Sequence, residues 1–315
     1  MKAFTSIIQF QKEFGTEDAC RQYLEQQKWN GKPACTCCGS QNVTRFSKDA
    51  RRFQCNEKAC RKQFSVLTGT FAENTKIPLT KWFLAMYILN NHSKGISSLQ
   101  LSVWLDVTQK TAWFLNHRIR EMLTDRSSDL LSGTVEIDET YVGGSDKNRH
   151  EKKKKGRGAH AMVVGAVKRK VTTEVDGKTV TTEPSKVKVK VIPSADIPSI
   201  QEFIKDNVKE GENMVTDESR AYNKVKDKYN HDTVNHRAKE YVRGIVHTNT
   251  IEGFWNILKK QIDGIHHSVS PSHLQRYCNE SAYRYNNKDV AQDERFAAAL
   301  ANCNGRLTYQ QLIAK

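Results

Sequence analysis

Nowhere is the chain apolar over the run of about 20 residues that a membrane-spanning helix needs, so a helical membrane protein is not expected. The opening stretch, "MKAFTSIIQFQKEFGTEDAC", has neither the apolar core nor the small-residue cleavage site of a secretory signal. That points to the cytoplasm, with its nucleoid. No internal repeat is visible. Acidic residues are also in short supply: 35 Asp and Glu stand against 50 Lys and Arg, a formal charge of +15 over 315 residues. Such an excess does not determine a fold, but it favours a polyanionic partner, above all nucleic acid. The length allows two or three domains with at least one sizeable core.

What is there is unevenly placed. Six of the eight cysteines fall between Cys20 and Cys60, while Cys278 and Cys303 stand alone. In a reducing compartment clustered cysteines bind metal more often than they form disulfides. Cys35-x2-Cys38 and Cys55-x4-Cys60 are two close pairs, which can bring four thiolates to the corners of a tetrahedron. Gly39 follows the first pair, where a knuckle needs a tight turn. A closed four-thiolate site has no open position, so its Zn²⁺ would be structural. Cys37 lies inside the first pair and could replace either neighbour.

Residues 4–30 read as short helix and residues 79–123 as helix, with "TDRSSDLLSG" (124–133) as a polar linker. Within the helical middle, "DVTQKT" separates two amphipathic stretches. Ile96, Leu99, Leu101 and Leu105 mark the first; Ala112, Trp113, Leu115 and Ile119 mark the second, with Thr108 as its cap. This is a helix-turn-helix pattern, or else a plain helical pair. Its second helix offers Gln109, Lys110, Asn116 and Arg118 to DNA. Beyond the linker, strands are expected at 134–142, 161–168, 186–192 and 212–216, and helices at 196–209, 219–228, 250–262 and 272–286. Mixed strands and helices of this kind predict an α/β or α+β catalytic domain.

Three carboxylates stand out. In "GTVEIDETYVGG", side-chain alternation puts Glu136, Asp138 and Thr140 on one strand face and Val135, Ile137 and Tyr141 on the other. A carboxylate in mid-strand is costly unless it is paired or metal-bound. Asp217 follows the apolar strand of "NMVTDESRAY" at what would be a sheet rim, although it could instead cap a helix. Glu252 begins a helix in "HTNTIEGFWNILKK", with Lys259 two turns further along the same face; Asn249-x-x-Glu252 also fits a capping box. Glu136 and Glu139 gain no role at this level and read as neighbours.

In order and type, Asp138, Asp217 and Glu252 resemble the D-D-E constellation of ribonuclease H-like transposases. The strings "VEIDETYVGG", "FSVLTGT", "KIPLTKWFLAMYIL", "GISSLQLSVWLDVTQKTAWFLNHRIREML" and "HTNTIEGFWNILKK" look like those of the bacterial zinc-ribbon insertion-sequence transposases, kin to the eukaryotic Merlin elements. The resemblance covers about Trp29 to Tyr285. It departs from the family pattern at the extra thiol of "CTCCGS" and at the wider second knuckle.

The resemblance implies an α/β, ribonuclease H-like mixed sheet flanked by helices, preceded by a zinc ribbon and a helix-turn-helix bundle. The implied organisation is a helical segment over 1–30, a zinc ribbon over 31–72, a DNA-binding bundle over 75–128 and a catalytic domain over 132–300 with a basic insertion near 145–190. Asp138, Asp217 and Glu252 would be the catalytic acids, with Lys259 as a phosphate-holding cation; some relatives carry Asn at the third position, so nearby Asn249 is the alternative third ligand, although Glu252 lines up better with Lys259. Cys35, Cys38, Cys55 and Cys60 would be the zinc ligands. Oxygen-only ligands favour Mg²⁺ or Mn²⁺, and paired cations suit in-line displacement at phosphorus. The implied partners are the element's double-stranded ends and target DNA, with a homodimer or larger assembly in the synaptic complex. A non-cutting DNA-binding regulator and another ribonuclease H-like nuclease are the competing readings. From Asp146 to Lys190 there are fourteen Lys or Arg against five acids, including Lys152, Lys153, Lys154 and Lys155. This run, and the face formed by Lys186, Lys188 and Lys190, could bind DNA backbone non-specifically.

Overall fold

The computed structural model describes residues 4–143, 161–176, 178–219, 221–222, 228–234, 242–305 and 307–314. The chain divides into two compact units, residues 1–123 with 289–315, and residues 124–288.

The first unit opens with α1 (Ile7–Glu13) and α2 (Glu17–Trp29), capped by the hydroxyls of Ser6 and Thr16. A three-stranded antiparallel sheet follows, of β1 (Val43–Arg45), β2 (Arg52–Cys55) and β3 (Gln63–Ser65). Phe53 and Phe64 stack at 5.5 Å beneath Trp29 and close a small core against Cys35 and Cys55. Helix α3 (Leu79–Asn91) is apolar on nearly every side, and it is buried accordingly. Then come α4 (Ser98–Leu105) and α5 (Gln109–Met122), the expected helix pair. Leu99, expected on the buried side of α4, is instead 66% exposed, beside exposed Val103 and Trp104.

The second unit starts with β4 (Thr134–Val142), followed by β5 (Ala161–Lys168), an exposed hairpin of β6 (Val171–Val175) and β7 (Lys178–Glu183), and β8 (Lys186–Ile192). Helix α6 (Ile197–Asn207), β9 (Asn213–Thr216), β10 (Asn230–Thr233) and the short pair β11 (Val242–Arg243) and β12 (Val246–His247) come next. Helix α7 (Asn249–Gln261) runs into a π-helical turn, Ile262–His266, and α8 (Pro271–Asn286) completes the unit. The main sheet has the order β10-β9-β4-β5-β8. β4, β9 and β10 are parallel, while β4–β5 and β5–β8 are antiparallel. This is the ribonuclease H-like mixed sheet.

Alternation along the strands feeds two cores. Val135, Ile137, Val164, Ala166 and Met214 pack on α6 through Ile200, Phe203 and Ile204. Val163, Val167 and Val187 face α7 and α8 through Ile251, Phe254, Trp255 and Leu258. With helices on both faces, the central strands are buried on both sides, as a mixed α/β sheet requires. Tyr141 departs from the expected apolar face: it is 62% exposed, although Met162, its partner on β5, is buried. Of the helix expected over 219–228, residues 220 and 223–227 lie outside the described residues.

The chain leaves the second unit at Lys288, short of the residue 300 expected from the sequence. The last helices, α9 (Gln292–Ala301) and α10 (Tyr309–Ile313), belong to the first unit. Phe296 of α9 explains this, since its ring packs at 5.2 to 5.8 Å from those of Phe4, Phe10, Phe14 and Phe83. An aromatic cluster of this size contributes far more buried area than the short polar linker could oppose. Among the described residues no helix is long and apolar enough to cross a membrane.

Candidate active site and zinc centre

Asp138 stands in mid-β4, on the rung opposite Gly165 of β5 and on the face that looks toward α7. The indole of Trp255 lies across Gly165. A Cβ at that glycine would meet Trp255 Cη2 at 2.6 Å and Cζ2 at 3.0 Å. The glycine therefore makes room for the indole, whose Nε1 donates to Asp138 Oδ2 at 3.0 Å. Burial pushes the Asp138 carboxyl up to about 6; the Trp255 bond and the Glu139 N–H oppose this, and the charges of Asp217 and Glu252 add to it. The charges of Asp217 and Glu252 thus both reach Asp138.

Asp217 follows β9, which is parallel to β4 with Val215 opposite Glu136. Continuing that register by two residues brings Asp217 level with Asp138. One Asp217 oxygen accepts the N–H of Ser219 at 2.9 Å, a local turn bond of the kind its capping alternative required. Glu252 sits exposed in the first turn of α7, and Lys259 is exposed further along the helix.

The start of α7 corrects the capping-box alternative for Glu252. Asn249 is the first helical residue rather than the cap, and Thr248, at the cap position, gives no side-chain cap bond. The capping anion comes instead from the sheet. Glu136 Oε2 accepts the N–H groups of Thr250 at 2.8 Å and Ile251 at 2.9 Å, and Oε1 accepts the Thr250 hydroxyl at 2.7 Å. Arg169 Nε donates to the same carboxylate at 2.6 Å. Glu136 is fully buried, and an unpaired carboxylate there would be prohibitive; a guanidinium and the positive end of a helix satisfy it. Glu252 is left free of capping, apart from the Thr248 hydroxyl, which donates to its Oε1 at 3.1 Å.

Glu139 also proves to be more than a neighbour. It lies on the opposite face of β4 from Asp138, toward Tyr222, with its Oε1 buried and without a hydrogen-bond partner. Burial, with the charges of Asp138 and Asp217, pushes its carboxyl up to about 7 against the pull of the Tyr222 hydroxyl. Sequence reasoning therefore missed Glu136, Glu139, Gly165 and Trp255. The one signal available was a lone glycine inside the apolar strand "AMVVGAVK", which marks a close approach.

In the first unit the Sγ atoms of Cys35, Cys38, Cys55 and Cys60 all lie within 4.8 Å of one another. Cys35 to Cys60 is 3.7 Å and Cys38 to Cys55 is 3.6 Å. A tetrahedron of Zn–S bonds of about 2.3 Å has edges of about 3.8 Å, so the four thiols fit Zn²⁺. Gly39 makes the knuckle turn at φ +76°, its N–H bonded to Cys35 O at 2.9 Å. Cys37 is exposed and outside the group, which answers whether it replaces a neighbour. Burial raises the Cys35 thiol, but N–H groups of Cys38 and Cys37 with the thiols of Cys38 and Cys60 bring it down to about 7. Among the described residues the carboxylates do not draw together as tightly as these thiols.

The expected DNA-contact residues divide. Thr108 caps α5 as expected, its hydroxyl accepting the Thr111 N–H at 3.3 Å. Gln109 and Lys110 are exposed at the start of that helix. Asn116 and Arg118 are not: they are 1% and 6% exposed, and Arg118 Nε donates to Leu307 O at 2.9 Å. Both fall on turns of α5 that face the unit's interior, so neither can read a base edge in this conformation. Lys186 lies 3.6 Å from Asp125 and 3.8 Å from Asp129, and Lys190 lies 3.2 Å from Glu202. That strand face is largely neutralised within its own unit. Lys152, Lys153, Lys154 and Lys155 lie outside the described residues.

Comparison with known proteins finds similarity in both units. Residues 130–286 match the ISXO2-like transposase domain, and residues 15–63 match the transposase zinc-ribbon domain. The chain is 30% identical over 272 residues to an uncharacterized protein in transposable element ISH50 of Halobacterium salinarum, covering 84% of this chain and 90% of that protein.

Proposed function

This chain belongs to the ISXO2-like transposases, and on that premise we propose that it cuts DNA at the ends of an insertion sequence and joins them to target DNA through Asp138, Asp217 and Glu252. The observation that carries this is the placement of Asp138: a mid-sheet carboxylate, raised to about 6 by burial first, with the charges of Asp217 and Glu252 contributing to that rise. Such a cluster of acids is unfavourable by itself and is relieved by cations. The donors are all oxygens, which suits Mg²⁺ or Mn²⁺ rather than zinc. Trp255 orients the Asp138 carboxylate through Oδ2, and that carboxylate would help to hold a cation.

Bound divalent cations would supply Lewis-acid stabilisation of the attacking and leaving oxygens. The chain's part is to hold and orient. Asp138 fixes the centre of the site on a strand buried on both faces. Asp217 closes it from the sheet rim and Glu252 from the first turn of α7. Lys259, exposed on α7, would hold a phosphate near the scissile bond. Water would first hydrolyse the phosphodiester at the element end and free its 3′-hydroxyl; that hydroxyl would then attack a target phosphodiester in line, forming a new P–O bond as the target strand's 3′-oxygen leaves.

The zinc ribbon and the α4–α5 pair would bind the terminal inverted repeats, with exposed Gln109 and Lys110 at the start of α5 as contacts. The four-cysteine zinc site would hold the ribbon's fold. Two copies acting on two synapsed ends form the expected assembly, in the cytoplasm on nucleoid DNA. A metal-dependent nicking and strand-transfer assay on the element's own ends tests the reading. Activity must require Mg²⁺ or Mn²⁺ and each of the three acids; full activity in EDTA, or from D217N, would overturn it.

A further inference from the structure

Glu136 and Asp138 sit two residues apart on one face of β4, about 7 Å along the strand. Glu136 reaches the first turn of α7 and Asp138 is met by Trp255 from the next turn of the same helix. The strand and the helix are therefore pinned to each other at two points, one on either side of Glu252. Among the described residues, the donors to Glu136 all belong to that junction: the N–H groups of Thr250 and Ile251, the Thr250 hydroxyl and Arg169 Nε. His247 Nδ1 lies 3.3 Å from the same carboxylate and 3.1 Å from Arg169 Nη2. Arg169 extends the junction by donating to Ile245 O and His247 O, both at 2.6 Å, in the segment just before α7.

A purely structural cap would not need this arrangement. Thr248 and Asn249 are residue types that cap helices from within the chain, and both stand at the start of α7. Neither is used as a cap. The Thr248 hydroxyl is turned to Glu252 Oε1 instead, while the helix start is held from the strand that carries Asp138. The effect is to fix Glu252, the residue after Ile251, relative to Asp138 rather than relative to its own loop.

We propose that Glu136 is a positioning residue, which holds the start of α7 so that Glu252 and Asp138 present their carboxylates to the same divalent cation site. This rests on the reading of Asp138, Asp217 and Glu252 as the cation ligands. Glu136 itself has its oxygens taken up by the helix and Arg169, so it acts through Glu252 rather than on the cation.

The test is Mn²⁺ binding by the full-length, zinc-loaded protein, read by electron paramagnetic resonance of free Mn²⁺, for wild type, E136Q, T250V, E252Q and the E136Q/E252Q pair. A glutamine at 136 keeps the size but puts an NH₂ group against the helix N–H donors. E136Q is expected to bind Mn²⁺ about tenfold more weakly, as for other residues that orient metal ligands. The pair is expected to bind no more weakly than E252Q alone, because Glu136 works through Glu252. T250V removes only the 2.7 Å hydroxyl bond and is expected to shift binding in the same direction by less. It carries the test if E136Q does not fold. A folded E136Q, or T250V, with wild-type Mn²⁺ affinity overturns the proposal, as does full additivity in the pair. The three-carboxylate reading fails separately, and visibly, if D138N binds Mn²⁺ as wild type does.

Discussion

Trp255 Nε1 donates to Asp138 Oδ2 at 3.0 Å, and the indole reaches that oxygen only because Gly165, directly opposite Asp138, has no side chain. The bond lowers the Asp138 carboxyl and so limits the rise, led by burial, to about 6. Removing the donor should let the carboxyl rise further. In W255F, Mn²⁺ binding should therefore require a higher pH than in wild type, since the ionised form is the ligand. A binding-versus-pH titration checks this, and an unshifted or downward-shifted midpoint would contradict it.

Gly165→Ala tests the close approach itself. A methyl group 2.6 Å from Trp255 Cη2 must displace the ring, because neighbouring β5 residues are packed on both faces. Overpacking of this kind costs about 1–3 kcal/mol. Thermal unfolding should show that loss together with a changed indole fluorescence. An unaltered Tm would mean the strand and helix can separate freely.

The raised carboxyls set a pH dependence of stability. Asp138 is raised from 3.8 to about 6 and Glu139 from 4.5 to about 7, both by burial first. Over those intervals the folded chain holds more protons than the unfolded chain, so the slope of unfolding free energy with pH is negative. In the absence of divalent cations the protein should lose stability as pH rises from about 4 to about 7. Glu139→Gln should flatten the upper part of that fall. Denaturant midpoints at stepped pH in EDTA-free, Mg²⁺-free buffer, with the zinc site loaded, provide the measurement.

Zinc content separates the five clustered cysteines. C35S, C38S, C55S and C60S should each lose Zn²⁺ and loosen the small core of Phe53, Phe64 and Trp29 that packs on the site. C37S should keep one Zn²⁺ per chain, because that thiol is exposed and outside the group. Metal analysis after gel filtration decides this, and zinc loss from C37S would contradict the assignment.

Much of this could be read in the sequence, for reasons that lie in local periodicity. The strands at 134–142, 161–168 and 186–192 appear where alternation and β-branched residues placed them, and Thr108 caps α5 as its position before an amphipathic run implies. The four-cysteine group was likewise fixed by spacing. What could not be read depends on partners distant in the chain. Glu136 caps a helix that begins more than a hundred residues later, and nothing near it in sequence marks that. Gly165 is explained only by Trp255, ninety residues on. Asn116 and Arg118 are polar, so composition put them on the DNA side. The fold instead buries them, with Arg118 donating to a carbonyl in the C-terminal segment. That segment joins the first unit through Phe296, buried with Ala299 and Leu300 in a helix whose pattern does not say which core it joins.

The most direct test of the account is strand transfer from a pre-cleaved element end into target DNA by full-length protein in Mn²⁺, comparing wild type with D138N. The substitution keeps the side chain's size and its ability to accept from Trp255, while removing the charge. Strand transfer should fall by at least about a thousandfold, equivalent to about 4 kcal/mol in the barrier. Transfer by D138N within a few-fold of wild type would contradict the account.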